Sequence, residues 1–457
     1  MPAQKAHPGL LTCDIVVNGG TAVRRIALTV VAIAAAALLA GCTGSATPIT
    51  SLAAANGSVT AAAAGPASTS STPSQTSGSA AVPSSPKTTT PPTPTVRPPV
   101  AVVSANPAFG ATDLSPVAPL TISVAQGTIT ELHVTNPEGA EVVGTTSPDG
   151  TTWTLGEPLG YGKTYTVAGT ATGTDAKAVP ISGTFTTVTP VDKVSTGISP
   201  DPGTVVGVAA PVIVYLGYAP ADRALVERAV HITTTPAVEG AWAWVHHDGQ
   251  DYPSLDWRPK SYWPSGTQVH VESDIYGLDF GGGYFGGDNV TSDFSIGRNQ
   301  IVLADTQSFQ IVVQRDGQTV ATYPASFGSG DDIGDPNRVT RSGIHVVISK
   351  SETTKMSNPA YGYTNIIEHW AVRISDNGEF IHQNQGTVDD QGNTNVSHGC
   401  INLSAENAEE YFNSAIYGDP VEVTGSSVPL SSDDGDLYDW TVPWDQWLTM
   451  SSGVANH

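Results

Sequence analysis

From residue 101 to 297 apolar and polar positions alternate in short runs, punctuated by turn residues roughly every 8 to 12 positions, which is the rhythm of antiparallel strands. The runs at Thr164 to Val167 and Thr267 to Val271 place an apolar side chain at every second position, as a strand with one buried face requires. A weak internal repeat surrounds them. "SPDGTTWTLGEPLGYGKTYTVAGTATG" is followed by "ISGTFTT", and "HHDGQDYPSLDWRPKSYWPSGTQVHVESDIYG" by "TSDFSIG". Each copy sets an Asp-Gly turn before a strand carrying Trp or Leu, then a Pro, an aromatic, a Gly-containing turn and an alternating strand. The pattern predicts two β-sandwiches, 101–192 and 193–297, with His246 and His247 as solvated loop residues beside the second Asp-Gly turn.

A third segment, 298–425, opens with "QIVVQ" and "TVATY" flanking Arg315-Asp316-Gly317-Gln318, a hairpin with Asp-Gly in its turn. Further strands are expected at Gly343 to Ser349, Trp370 to Ser375 and Pro420 to Val423. One helix is expected at Ala405 to Ala415 with Ser404 as N-cap. The tail, 426–457, ends in "VPWDQW", and Trp444 and Trp447 are expected to pack it against the sandwich before it. The fold class is therefore mostly β. The sandwiches read as Ig-like on strand pattern alone, since neither carries the cysteine pair of antibody domains, and they are expected to act as spacers.

The N-terminal region has a different pattern. Arg24 and Arg25 precede an apolar run from Ile26 to Ala40, shorter than the roughly 20 residues that span a bilayer, so 1–42 reads as a signal peptide. Leu39 to Cys42, "LAGC", resembles the lipobox of bacterial lipoproteins, which implies lipidation of Cys42 and a place on the outer face of the cytoplasmic membrane. From 43 to 100 the chain is Ser, Thr, Ala and Pro with almost no large apolar residues, too little to offset ordering entropy, and is expected to be a disordered tether.

Composition narrows the function. With 47 Gly and 34 Pro the chain is turn-rich rather than a helical bundle. A net charge of -23 opposes the electrostatic attraction that drives nucleic-acid binding, so no nucleic-acid partner is expected. Loss of Cys13 with the leader and acylation of Cys42 would leave Cys400 without a disulfide partner in an exported protein. Such a thiol is either buried and inert or a nucleophile.

Its neighbours favour the nucleophile. His398 lies two residues before Cys400 in "NVSHGCINLS", and His382 in "GEFIHQNQG" lies sixteen residues before His398. Thiol chemistry near neutral pH needs an imidazole to take the proton and hold the thiolate. Gly399 permits a tight turn in which backbone N–H groups converge on a developing oxyanion. A zinc site on His382, His398 and Cys400 has the right ligand types but lacks a fourth ligand at ordinary spacing.

His382, the sixteen-residue interval and "SHGCIN" from Ser397 to Asn402 resemble the signature of the L,D-transpeptidases, the YkuD-like peptidoglycan cross-linking enzymes. "RSGIHVVISK" resembles the strand after the family's Thr-Pro-x-Gly turn, with Arg341-Ser342-Gly343 departing from the Thr-Pro form. "VPWDQW" resembles the ending of mycobacterial enzymes with two Ig-like domains. The resemblance implies a YkuD-like catalytic domain after the two sandwiches, Cys400 as nucleophile, His382 as general base, His398 shaping the site, and amides near Gly399 and Cys400 as oxyanion hole. A backbone carbonyl after the base, here that of Gln383, would orient the imidazole. Met356 and Tyr363 would face substrate on a covering flap, and Ser397 and Asn402 would bind or support it by hydrogen bonds. The implied reaction is 3→3 cross-linking of tetrapeptide stems through a cysteine thioester, with a diaminopimelate acceptor, no metal or cofactor, and carbapenems as acylating inhibitors. An L,D-carboxypeptidase and a non-catalytic wall-binding lipoprotein are the alternatives.

Overall fold

In the computed structural model the described residues are 12–14, 100–247, 249–432 and 437–453. All of the expected signal peptide but 12–14, together with Cys42 and most of the tether, lies outside them. Alternation does what the sequence predicts in the first sandwich. Along Thr164–Gly173, Tyr165 and Val167 are buried while Thr164 and Thr166 are exposed. That strand is central in a three-stranded sheet, between Gly127–Thr135 and Ala178–Thr186. The opposite sheet runs Val102–Asn106, Thr121–Ala125, Thr152–Leu155, Gly144–Thr146. Ile122, Trp153, Val167, Ile181 and Phe185 fill the space between.

The second sandwich has its own core, around Val214, Trp242, Leu255, Trp257, Val271 and Phe294. One sheet runs Thr196–Ser199, Val212–Leu216, Ser254–Pro259, Gly240–Val245, and the other Val205–Val206, Val290–Ile296, Gln268–Ser273, Val230–Thr235. Ser254–Pro259 is buried at all six positions rather than at alternate ones, so both its faces are covered. The tail covers the outer face. Trp447 is fully buried against Ala243 and Val245, and its indole N–H donates to the Ala241 carbonyl at 2.9 Å. A buried Trp removes roughly 200 Å² from water, worth at most about 5 kcal/mol at about 25 cal/mol per Å². The Arg258 guanidinium lies among the rings of Trp440, Trp444 and Trp447 at 4.9, 5.2 and 4.7 Å.

This covering corrects one expectation. His246 is exposed, but His247 is fully buried, with Nε2 2.7 Å from Asp256 Oδ2. The tail residue Tyr438 lies beside it, ring to ring at 6.3 Å. A local Asp-Gly turn signal cannot show that a segment nearly two hundred residues later closes over the strand end.

The third domain packs two sheets around Val302, Ile311, Phe327, Val372, Ile381, Ile401 and Tyr411. The first sheet runs Gln318–Pro324, Gln310–Arg315, Gln300–Asp305, Pro420–Thr424, Gly343–Val346. Its opening hairpin turns on Asp316 and Gly317, with φ of 49° and 75°, the left-handed pair that matches strand twist. The second sheet runs Ser349–Asn358, Tyr363–Arg373, Phe380–Gln383, Ile401–Leu403, and Thr12–Asp14 pairs antiparallel with the outer edge at Lys355 to Ser357. The helix Ala405–Ser414 follows, with the Ser404 hydroxyl accepting from the Asn407 N–H at 3.2 Å.

The second sandwich and the third domain share an interface. The N–H groups of Gly207 and Ala209 donate to the carbonyls of Tyr417 and Gly418 at 2.7 and 2.8 Å. Ala209, Ile213, Val346 and Leu437 form a common apolar cluster. Arg298 clamps the buried Asp419 at 2.7 Å beside it. The second sandwich is thus built into the third domain rather than being a detached spacer.

Candidate active site

Cys400 ends a turn that the chain makes just before Ile401–Leu403. Gly399 has φ of 122°, a conformation that favours glycine, and its carbonyl accepts from the Thr340 hydroxyl at 2.8 Å. The Ser397 hydroxyl accepts from the Gly399 N–H at 3.2 Å and donates to the Cys400 carbonyl at 2.6 Å. The Gly399 amide is therefore engaged, whereas the Cys400 N–H reaches no acceptor among the described residues. Of the two amides expected to receive an oxyanion, that of Cys400 is the one open to it. The thiol is 8% exposed, and its Sγ lies 3.6 Å from the Gly378 carbonyl.

Parallel pairing of Phe380–Gln383 with Ile401–Leu403 sets Ile381 opposite Ile401 and His382 opposite Asn402. This register brings His382 against the thiol. Its Nδ1 lies 2.7 Å from the carbonyl of Gln383 and 3.4 Å from Glu368 Oε2. A carbonyl only accepts, so Nδ1 carries hydrogen and Nε2 is left for the sulfur. Burial pushes the imidazole pKa down, but hydrogen bonds to Cys400 and Glu368 outweigh it and raise it to about 10.

His398 is placed differently. It is half-buried between the rings of Tyr361 and Tyr363, 5.1 and 5.3 Å away, and burial followed by the nearby Arg338 charge lowers its pKa. Arg338 lies 5.7 Å over the Tyr361 ring, and the Tyr361 hydroxyl donates to Asp335 at 2.9 Å. The wall beside the thiol is thus aromatic and cationic.

The long hairpin of Ser349–Asn358 and Tyr363–Arg373 covers the site. Met356 is buried against Ala371, Phe380 and Cys400, with Tyr363 packed on the same cluster. Burial raises the Tyr363 pKa, and the Cys400 charge adds to it. Ser397 and Asn402, expected either to bind substrate or to support the site, are buried in the supporting position. Asn402 donates from Nδ2 to the Thr387 hydroxyl at 3.3 Å, and its main chain bridges to Ser326. Both side chains brace the turn.

Sequence reasoning did not find Glu368, Arg338, Tyr361, Thr340 or Glu379. None carries a local motif, and each meets the site through pairing distant in sequence. Among the described residues no three His, Cys, Asp or Glu side chains converge as metal ligands.

The bacterial Ig domain family matches residues 111–279, a stretch that runs across both sandwiches, and the L,D-transpeptidase catalytic domain family matches residues 299–423. L,D-transpeptidase 5 of Mycobacterium tuberculosis is 48% identical over 355 residues, 78% of this chain and 78% of that protein. L,D-transpeptidase 2 of the same species is 36% identical over 357 residues, 76% of this chain and 84% of that protein. A solved structure of an L,D-transpeptidase in complex with imipenem is 34% identical, covers 51% of this chain and 100% of its own, and has a TM-score of 0.42.

Proposed function

This chain belongs to the L,D-transpeptidases, and on that premise we propose that it forms 3→3 peptidoglycan cross-links through a thioester on Cys400. The observation that carries the reading is the parallel strand register that sets the buried His382 beside the turn of the buried Cys400, with its Nδ1 taken up by the Gln383 carbonyl so that Nε2 is free for the sulfur. The His382 imidazole takes the thiol proton, and the sulfur attacks the carbonyl of the third residue of a donor tetrapeptide stem. The developing oxyanion meets the Cys400 N–H. As the C–N bond to the terminal D-alanine breaks, His382 returns the proton to the departing amine, leaving the thioester. The side-chain amine of a diaminopimelate in a second stem then attacks, His382 accepts its proton, and the thiol is restored.

The aromatic wall of Tyr361, Tyr363 and His398 would flank the stem peptide, with Arg338 available to a stem carboxylate. A carbapenem, whose strained ring carbonyl is an acyl donor, would acylate the same sulfur. Lipid attached at Cys42 would hold the chain on the outer face of the cytoplasmic membrane, with the tether setting its reach into the wall.

The purified chain incubated with a tetrapeptide muropeptide should yield a 3→3 dimer and free D-alanine, and Cys400→Ser should yield neither. Release of D-alanine without dimer would replace cross-linking by hydrolysis, and an unaltered muropeptide would remove the catalytic reading.

A further inference from the structure

We propose that Glu368 is a positioning residue of this site, a carboxylate that the covering hairpin brings to Nδ1 of His382 so that the imidazolium is held beside the Cys400 thiolate. The inference rests on the cysteine–histidine reading above. It adds a charged third member where sequence reasoning placed only the Gln383 carbonyl.

The geometry requires the strand pairing described for the second sheet. Tyr363–Arg373 lies between Ser349–Asn358 and Phe380–Gln383, with Val372 opposite Ile381 and Thr354 opposite Glu368. Glu368 therefore extends past the end of the His382 strand, and its carboxylate turns back toward the ring. Oε2 ends 3.4 Å from Nδ1, with the Glu368 side chain 18% and the His382 side chain 4% exposed. Water screens the pair weakly, so the attraction exceeds that of a surface ion pair. Nδ1–H is bonded to the Gln383 carbonyl at 2.7 Å, and the carboxylate lies beside that bond as a charge contact. The carbonyl fixes the tautomer of the neutral ring and favours the charged one only modestly, whereas a carboxylate adds a full opposite charge beside it.

Every charged or titratable group facing the ring enters this balance. Cys400 lies on the Nε2 side and Glu368 on the Nδ1 side. Tyr363, packed in the cluster that holds Cys400, has its pKa raised by burial and by the charges of Cys400 and Glu368. Arg338 acts on Tyr363 and His398 from the opposite wall. Glu379 lies just before the strand Phe380–Gln383, where it is taken up by Arg341 and lies 3.6 Å from His345 Nδ1. Glu368 is nearer the imidazole than the sulfur, so it favours the thiolate–imidazolium pair over the neutral pair. It also delays loss of the imidazolium proton, which the leaving amine requires.

The test is the pH profile of Cys400 acylation by a carbapenem, followed by the mass of the adduct, for the full chain and for Glu368→Gln, Glu368→Asp and His382→Ala. Glu368→Gln should move the alkaline limb down by about one pH unit or more, where each unit is a tenfold change in the proton equilibrium. Glu368→Asp keeps the charge with shorter reach and should recover part of the shift, which a loss of packing alone would not produce. A Glu368→Gln limb superimposed on wild type overturns the proposal, as does an equal shift in the Asp and Gln variants. His382→Ala separates the two readings. If it leaves the wild-type limb in place, the base assignment fails. If it abolishes the limb while Glu368→Gln leaves it unmoved, only the role of Glu368 fails.

Discussion

Glu379 holds Arg341 twice, accepting from its main-chain N–H at 3.0 Å and from its guanidinium Nη1 at 3.4 Å. The pair accounts for a departure visible in the sequence, the Arg341-Ser342-Gly343 entry to the strand Gly343–Val346 in place of a Thr-Pro form. Glu379 also lies directly after Gly378, whose carbonyl meets the Cys400 sulfur. The buried ion pair therefore ties the segment that approaches the thiol to a strand of the opposite sheet.

Glu379→Ala should lower stability by about 3 kcal/mol in urea denaturation, because it removes a buried carboxylate that pairs with Arg341 and lies 3.6 Å from the buried His345. Glu379→Gln keeps an acceptor for the Arg341 N–H and should cost less. Equal midpoints for the two variants would show that the charge, not the hydrogen bonds, carries the effect.

What the sequence made legible was local. The Asp316-Gly317 turn, the Ser404 cap and the alternation at Thr164 to Val167 depend on neighbours a few residues away, and they formed as expected. Cys400, His382 and His398 were found because two of them share one short motif and the third keeps a fixed interval. The carboxylates were not legible. Glu368, Glu379 and Asp439 look like ordinary polar residues until sheet pairing and the returning tail bury them. His247 was misread for the same reason, since the tail that covers its surroundings is remote in sequence.

The junction between the second sandwich and the third domain is tight enough to be tested by a single methyl group. Gly418 has φ of +86°, and a Cβ there would lie 2.5 Å from the Cβ of Ala210. Gly418→Ala should cost about 1–2 kcal/mol for the left-handed backbone alone, and more for the contact. A chain beginning at residue 298 would lose the partner surface of Val346 and the strand beneath Trp447. It should be less soluble and melt lower than a chain beginning at 193, as scanning fluorimetry would show. Equal melting would restore the view of the second sandwich as a spacer.

His398 and His382 should separate in their pH behaviour. Burial and Arg338 disfavour the charged form of His398, while its ring packs at a tilt against two tyrosines at the site wall. His398→Gln should therefore raise the KM for the donor stem several-fold and leave the shape of the pH profile unchanged. His382→Ala should instead lower the acylation rate roughly 10²- to 10⁴-fold, the usual worth of a positioned base. A shifted profile in His398→Gln would move the proton-transfer role to that residue.

Two buried carboxylates, Asp439 in the tail and Asp419 at the domain junction, carry a pH dependence. Asp439 is fully buried where the tail meets the second sandwich, and neither of its carboxylate oxygens has a described hydrogen bond. Burial raises its pKa from 3.8 to about 7, with Asp256 adding to the rise and His247 and Arg258 opposing it. The folded state thus holds a proton that the unfolded chain releases at lower pH. Stability from this group is greatest at acid pH and is lost as pH rises from about 4 through about 7. Asp419 acts in the same direction, since burial raises its pKa to about 6 against the pull of Arg298. Asp439→Asn should therefore flatten, without abolishing, the fall in Tm between pH 5 and about 7.5, the remaining slope belonging to Asp419. Above the folded-state pKa the variant should melt higher than wild type, because it removes a buried charge and leaves the Trp447 packing intact. Parallel curves for the two proteins would mean that Asp439 is protonated alike in both states and does not tie the tail to pH.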